Sequence, residues 1–94
     1  MRIEIFRVTS SPVCIEMDGN DEGVTIRDVF DEPGTGKVIG RDDETLLEAI
    51  ESEYGDAGIE KLGSIRVNSI SATLDTVVYG GAAIVIIPKV KAGR

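Results

Sequence analysis

Tyr79-Gly80-Gly81-Ala82-Ala83-Ile84-Val85-Ile86-Ile87-Pro88, followed by Lys89-Val90-Lys91-Ala92-Gly93-Arg94, decides how the chain is read. The glycine pair makes a tight turn, an apolar run follows, and proline removes the donor that a further ladder bond needs. With no polar residue from Ala82 to Ile87, the run predicts a central strand over 83–88, buried on both faces. Beyond Pro88 nothing supports folding back, so a short flexible tail is expected over about residues 89–94. Three of the ten basic residues, Lys89, Lys91 and Arg94, fall in this tail, whereas nearly all acidic residues lie between Glu16 and Glu60. The expectation is a cationic arm on an anionic body.

Working outward, the clearest helix runs from about Asp43 to Tyr54. Asp42 or Asp43 supplies the N-cap, Glu44 suits the positive end of the dipole, and Gly55 sits where a helix stops. Leu46, Leu47, Ile50 and Tyr54 make one apolar stripe, with Glu48, Glu51 and Glu53 facing elsewhere. Met1 to Val8 alternates through Ile3, Ile5 and Val8, with Phe6 breaking the pattern. After the turn chemistry of Thr9 to Pro12, Val13, Ile15 and Met17 alternate again. Those two runs predict an opening hairpin. Thr25 to Phe30 reads either as a short helix capped by Thr25 or as a short strand. Later strands are expected at Ser64 to Asn68 and Leu74 to Val78. The order predicts an α+β fold, a four- to five-stranded mixed sheet on one main helix, with the last strand beside the first.

Composition narrows the class. Ninety-four residues with a 41% apolar share make one globular domain over residues 1–94. With no Trp and two each of Phe and Tyr, the core must come from Ile, Val and Leu. A net charge of −7 argues against non-specific binding to nucleic acid or to an anionic membrane. Met1-Arg2 opens on a mixed stretch, not an apolar signal region, and no run approaches the ~20 residues of a membrane span. The one cysteine, Cys14, has no internal disulfide partner. A reducing cytoplasmic compartment is expected, and the cytosol of a phage host reads identically.

Several fragments point to chemistry and fall short of it. Gly34-Thr35-Gly36-Lys37 resembles part of a phosphate loop, but Asp31 and Val38 stand where the full pattern needs a glycine and a Ser or Thr. Asp18, Asn20, Glu22 and Gly23 echo the start of a calcium loop, but its twelfth position is Val29, which cannot ligate a hard cation. Casual divalent binding by this acidic loop stays open as a minor reading. The chain has no His, so Cys14 has no base to activate it, and its place between Val13 and Ile15 predicts a core thiol. No catalytic constellation, resident metal or cofactor is expected, and the chain does not read as an enzyme.

Val67-Asn68, Leu74-Asp75-Thr76, the glycine turn and the apolar strand ending in Pro88 resemble the closing third of bacterial and archaeal sulfur carriers. These are the small subunit of molybdopterin synthase and the thiamine-pathway carrier. In that family the final strand leads through Pro-x-Val into a C-terminal Gly-Gly. Pro88-Lys89-Val90 matches, and Ala92-Gly93 lies where the glycine pair belongs. The resemblance implies a ubiquitin-like β-grasp fold and a tail glycine that an adenylating enzyme activates, for thiocarboxylate formation or conjugation to a lysine. Ala92 replaces one glycine and Arg94 follows the other, so that chemistry requires removal of Arg94 and tolerance of a methyl group. The ending through Ile87-Pro88-Lys89-Val90 is also similar to the ubiquitin-like domain of phage tail-assembly proteins, which implies an assembly module without carrier chemistry. Either resemblance implies a protein partner. Expected partner-binding residues are Lys89, Lys91, Ala92, Gly93 and Arg94, with the exposed residues of the strands at Ile65 to Asn68 and Ala83 to Pro88. A partner for the tail would carry acidic residues.

Overall fold

The computed structural model describes residues 1–7, 12–17, 22–55, 58 and 63–88. In chain order the elements are β1 (Arg2–Arg7), β2 (Val13–Glu16), β3 (Val24–Thr25), α1 (Ile26–Phe30), a 3-10 turn (Thr35–Ile39), α2 (Leu46–Tyr54), β4 (Gly63–Val67), β5 (Ile70–Ala72), β6 (Val77–Val78) and β7 (Ala83–Pro88). Five strands form one mixed sheet in the order β2-β1-β7-β4-β5, and β3 with β6 forms a separate two-stranded ribbon. β7 lies at the centre, parallel to β1 and antiparallel to β4. The architecture is α+β, a mixed sheet with one main helix, and the last strand does lie beside the first.

One face of the sheet carries the core. Ile3 and Ile5 of β1, Ile15 of β2, Ile65 of β4 and Ile84 and Ile86 of β7 pack with Ile26, Val29 and Phe30 of α1 and Leu46 and Ile50 of α2. Burying branched aliphatic side chains of this size gains roughly 1.5–3 kcal/mol each relative to exposure, which makes this layer the main favourable term. The other face has no helix over it among the described residues. That corrects the expectation for β7. Ile84 and Ile86 are fully buried, but Val85 is only half-buried and Ile87 is 38% exposed. The run is apolar throughout because it is central, yet it is covered on one side only.

Thr25 resolves the ambiguous segment by serving both elements. Its backbone pairs with Val77 in the ribbon, and its hydroxyl accepts a hydrogen bond from the Asp28 N–H at 3.2 Å as the cap of α1. For α2 the cap is Thr45, not Asp42 or Asp43. Thr45 Oγ1 accepts from the Glu48 N–H at 3.2 Å, and Glu48 Oε1 accepts from the Thr45 N–H at 3.0 Å. This reciprocal box satisfies two donors at once. Residues 42–44 cannot join the helix because their flanks are tied to the 3-10 turn. The Gly36 N–H donates to the Glu44 carbonyl at 3.0 Å and the Arg41 N–H to the Gly36 carbonyl at 2.9 Å.

The phosphate-loop fragment is itself a structural joint. Thr35 is fully buried, and its hydroxyl hydrogen is shared between the carbonyls of Glu32 (2.7 Å) and Phe30 (3.0 Å). The same oxygen accepts from the Leu46 N–H at 2.8 Å, joining α1, the turn and α2. A Cβ at Gly36 would run into the carbonyl oxygens of Arg41 and Glu44, so the glycine is required by close approach.

Two strand expectations also change. β5 was not foreseen; it returns beside β4 through Asn68 and Ser69, both at positive φ (54° and 69°), the backbone of a two-residue hairpin turn. The segment from Leu74 contributes only Val77–Val78 as strand, because Thr73 to Thr76 closes into a turn with the Thr76 N–H on the Thr73 carbonyl at 3.1 Å.

Candidate interaction surface

Side chains alternate across a strand, so the buried positions fix which residues reach the uncovered face. With Ile3 and Ile5 inward, β1 sends out Arg2, Glu4 and Phe6. With Ile15 inward, β2 sends out Cys14 and Glu16. With Ile65 inward, β4 sends out Ser64 and Arg66, and β7 sends out Ala83, Val85 and Ile87. Register then assembles them. Phe6, Val85, Arg66 and Ser71 form one cross-strand row, and Ile87 stands beside Ser64.

The face has two halves of different character. On the β1–β2 side Glu4 lies opposite Cys14 and Arg2 opposite Glu16. The Arg2 guanidinium donates to Cys14 Sγ at 3.6 Å, and the thiol donates to Glu4 Oε2 at 3.4 Å. The hydrogen bond to Cys14 is the first cause that holds the Arg2 pKa above its ordinary value, followed by the Coulombic influence of Cys14 and Glu4. Cys14 is exposed, which overturns the core-thiol expectation. Once Ile15 points inward, its neighbour must point out.

The β7–β4 side is apolar with one cation. Phe6 and Val85 are half-buried, Ile87 is exposed, and Arg66 is exposed across Val85 from Phe6. Among the described residues the Arg66 guanidinium has no ion pair or hydrogen bond, whereas Arg27 pairs with Asp75 at 3.1 Å and Arg41 with Glu44 at 3.0 Å and Glu53 at 3.2 Å. The hydrogen bond to Glu53 is the leading cause of a raised Arg41 pKa. On the opposite, covered face, Arg7 Nε is buried without a hydrogen-bond partner among the described residues, beside Ile86 in the register.

β7 carries the chain out of the middle of the sheet. Pro88, its last residue, is opposite Gly63, at one end of a cleft of about 420 Å³ that lies between β4 and the turn at Thr73 to Asp75. The tail residues Lys89, Lys91, Ala92, Gly93 and Arg94 lie outside the described residues, as do Asp18 and Asn20 of the acidic loop. Of the strands expected to line a surface, the first supplies Arg66 while Ile65 is buried, and the second supplies Val85 and Ile87. Sequence reasoning missed Phe6, which it treated as a break in the alternation; position 6 has the outward parity of Arg2 and Glu4. It also missed Ile70, 71% exposed, and Tyr79 at the far end of the sheet, where turn geometry rather than strand pattern sets exposure.

Among the described residues, no group of three or more His, Cys, Asp or Glu side chains is placed to hold a metal ion. No described helix is long and apolar enough to cross a membrane. No family model, curated protein or solved structure matches this chain.

Proposed function

We propose that the chain is a ubiquitin-like β-grasp protein related to the sulfur carriers, working without catalysis of its own through protein–protein interaction in the cytosol of a cell or of a phage host. The open face of the sheet docks a protein partner, and Lys89, Lys91, Ala92, Gly93 and Arg94, which lie outside the described residues, contribute to the same interaction. The observation that carries this reading is the place of β7. It is the central strand, and it shows Val85 and Ile87 on the uncovered face. Phe6, Val85 and Ile87, grouped on a face whose other outward side chains are mostly charged or hydroxyl, suit a contact patch. The absence of His from the sequence supports a role in binding over acid–base chemistry.

The carrier version makes a chemical demand. The reacting group is a glycine carboxylate, so Arg94 must be removed before Gly93 can be adenylated, with Ala92 in place of the other glycine. Incubation with a cognate adenylating enzyme and ATP, followed by intact-mass measurement, tests it. The carrier version expects an adenylate or thiocarboxylate on a chain trimmed to Gly93. An unmodified chain still ending in Arg94 removes the carrier chemistry and leaves the interaction module. Ala92 and Arg94 themselves favour that second reading, an assembly module of the phage tail type, in which the tail binds and is not activated.

A further inference from the structure

We propose that Arg66 is the charged anchor of the open face, and that the partner covering Phe6, Val85 and Ile87 presents an Asp or Glu carboxylate beside apolar side chains. This rests on the reading of that face as a docking surface and names the chemistry it selects. Among the described residues Arg27 and Arg41 are paired with carboxylates, Arg2 is held against Cys14, and Arg7 has the inward parity of Ile3 and Ile5, which leaves Arg66 as the arginine of the open face without a hydrogen bond or ion pair. Arg66 stands between Ser64 and Ser71 on strands that carry no acidic residue, and its cross-strand neighbour is Val85.

The nearest open-face acid in the register is Glu4, two strands away and two residues along. From strand spacing and rise this is about 12 Å between Cα atoms. At that separation an internal pair contributes little in physiological salt. A docked surface changes the balance, because it excludes water from the row Phe6–Val85–Arg66. A desolvated guanidinium then needs an acceptor, and its planar fork matches a carboxylate in a bidentate pair. A second copy of this chain is a poor occupant. It brings another −7, and its open-face acids are already engaged, Glu4 with Cys14 and Glu16 with the N-terminal ammonium. A net charge of −7 also makes the chain a poor match for a phosphate-rich surface.

The test places an amine at position 66. Full-length protein carrying Arg66→Lys is incubated in native extract with a carbodiimide, which joins a lysine amine to a touching carboxylate with no spacer. Tandem mass spectrometry then maps the joined residues. The expected product links position 66 to an Asp or Glu of a different protein. With that protein purified, Arg66→Met, which keeps the stem and removes the charge, weakens binding by roughly 10- to 100-fold. A link from position 66 to Glu4 or Glu16 of a second copy overturns the choice of partner. A partner that is lost on Val85→Thr with Ile87→Thr, but gives no link at position 66 and binds Arg66→Met unchanged, overturns the anchor while the docking face stands. If no protein depends on Val85 and Ile87, the docking face and the anchor fall together.

Discussion

The two sides of β7 carry the same kind of residue and do different work. Ile84 and Ile86 point into the helices and are fully buried; Val85 and Ile87 point the other way and keep contact with solvent. Nothing in the composition of Ala83–Pro88 separates them. What separates them is the single layer formed by α1, the 3-10 turn and α2, which covers one face of the sheet. Residues on the covered side hold the fold together. Residues on the open side are free to be used for binding.

The largest effect expected from this difference is on stability. Ile86→Ala should destabilise the protein by about 2–5 kcal/mol through lost transfer energy and the cavity left behind, whereas Ile87→Ala should cost under about 1 kcal/mol. Denaturant unfolding of the two variants decides the matter, and equal losses would erase the distinction between the faces. Thr35→Val comes next. The swap keeps shape but leaves the buried Leu46 N–H without its acceptor, and a loss of about 2–3 kcal/mol is expected. Thr45→Ala should cost about 1 kcal/mol by opening the capping box of α2, with the loss of helix visible by circular dichroism. Should Asp43→Ala cost more than Thr45→Ala, the start of the helix has been misplaced. The smallest effect is expected at Arg7, on the covered side. Arg7→Met keeps the stem and removes a buried nitrogen that lacks a partner among the described residues, so stability should hold or rise by about 1 kcal/mol. A clear loss would mean that the guanidinium is satisfied in solution.

The covered side was the more legible one. The place of β7 beside β1 follows from its apolar run, and the α2 stripe from the spacing of Leu46, Leu47 and Ile50, because burial selects residue type directly. The α2 start was missed because Asp42, Asp43 and Thr45 are all acceptable caps. The choice is made by tertiary bonds from Gly36 and Arg41, which no local pattern reveals. β5 was missed because Asn68-Ser69 lacks the glycine that usually marks a two-residue hairpin. The open face was legible in outline, as the exposed residues of the later strands, but not in membership. Cys14 was read from its apolar neighbours Val13 and Ile15 and Phe6 as a break in the alternation, whereas the parity of Ile15 and Ile5 sets their direction. The pairing state of Arg66 needed the sheet order, since its nearest acid on that face belongs to a strand some sixty residues earlier.

A doubly substituted protein, Val85→Thr with Ile87→Thr, tests most directly whether the uncovered side of the central strand is where a partner sits. Both changes keep a β-branched residue in the strand and remove apolar surface from the outward side alone. The expected result is an unfolding midpoint close to that of the wild type, together with loss of the protein captured by the unsubstituted chain. Undiminished capture by a variant that folds as well as the wild type would contradict the account.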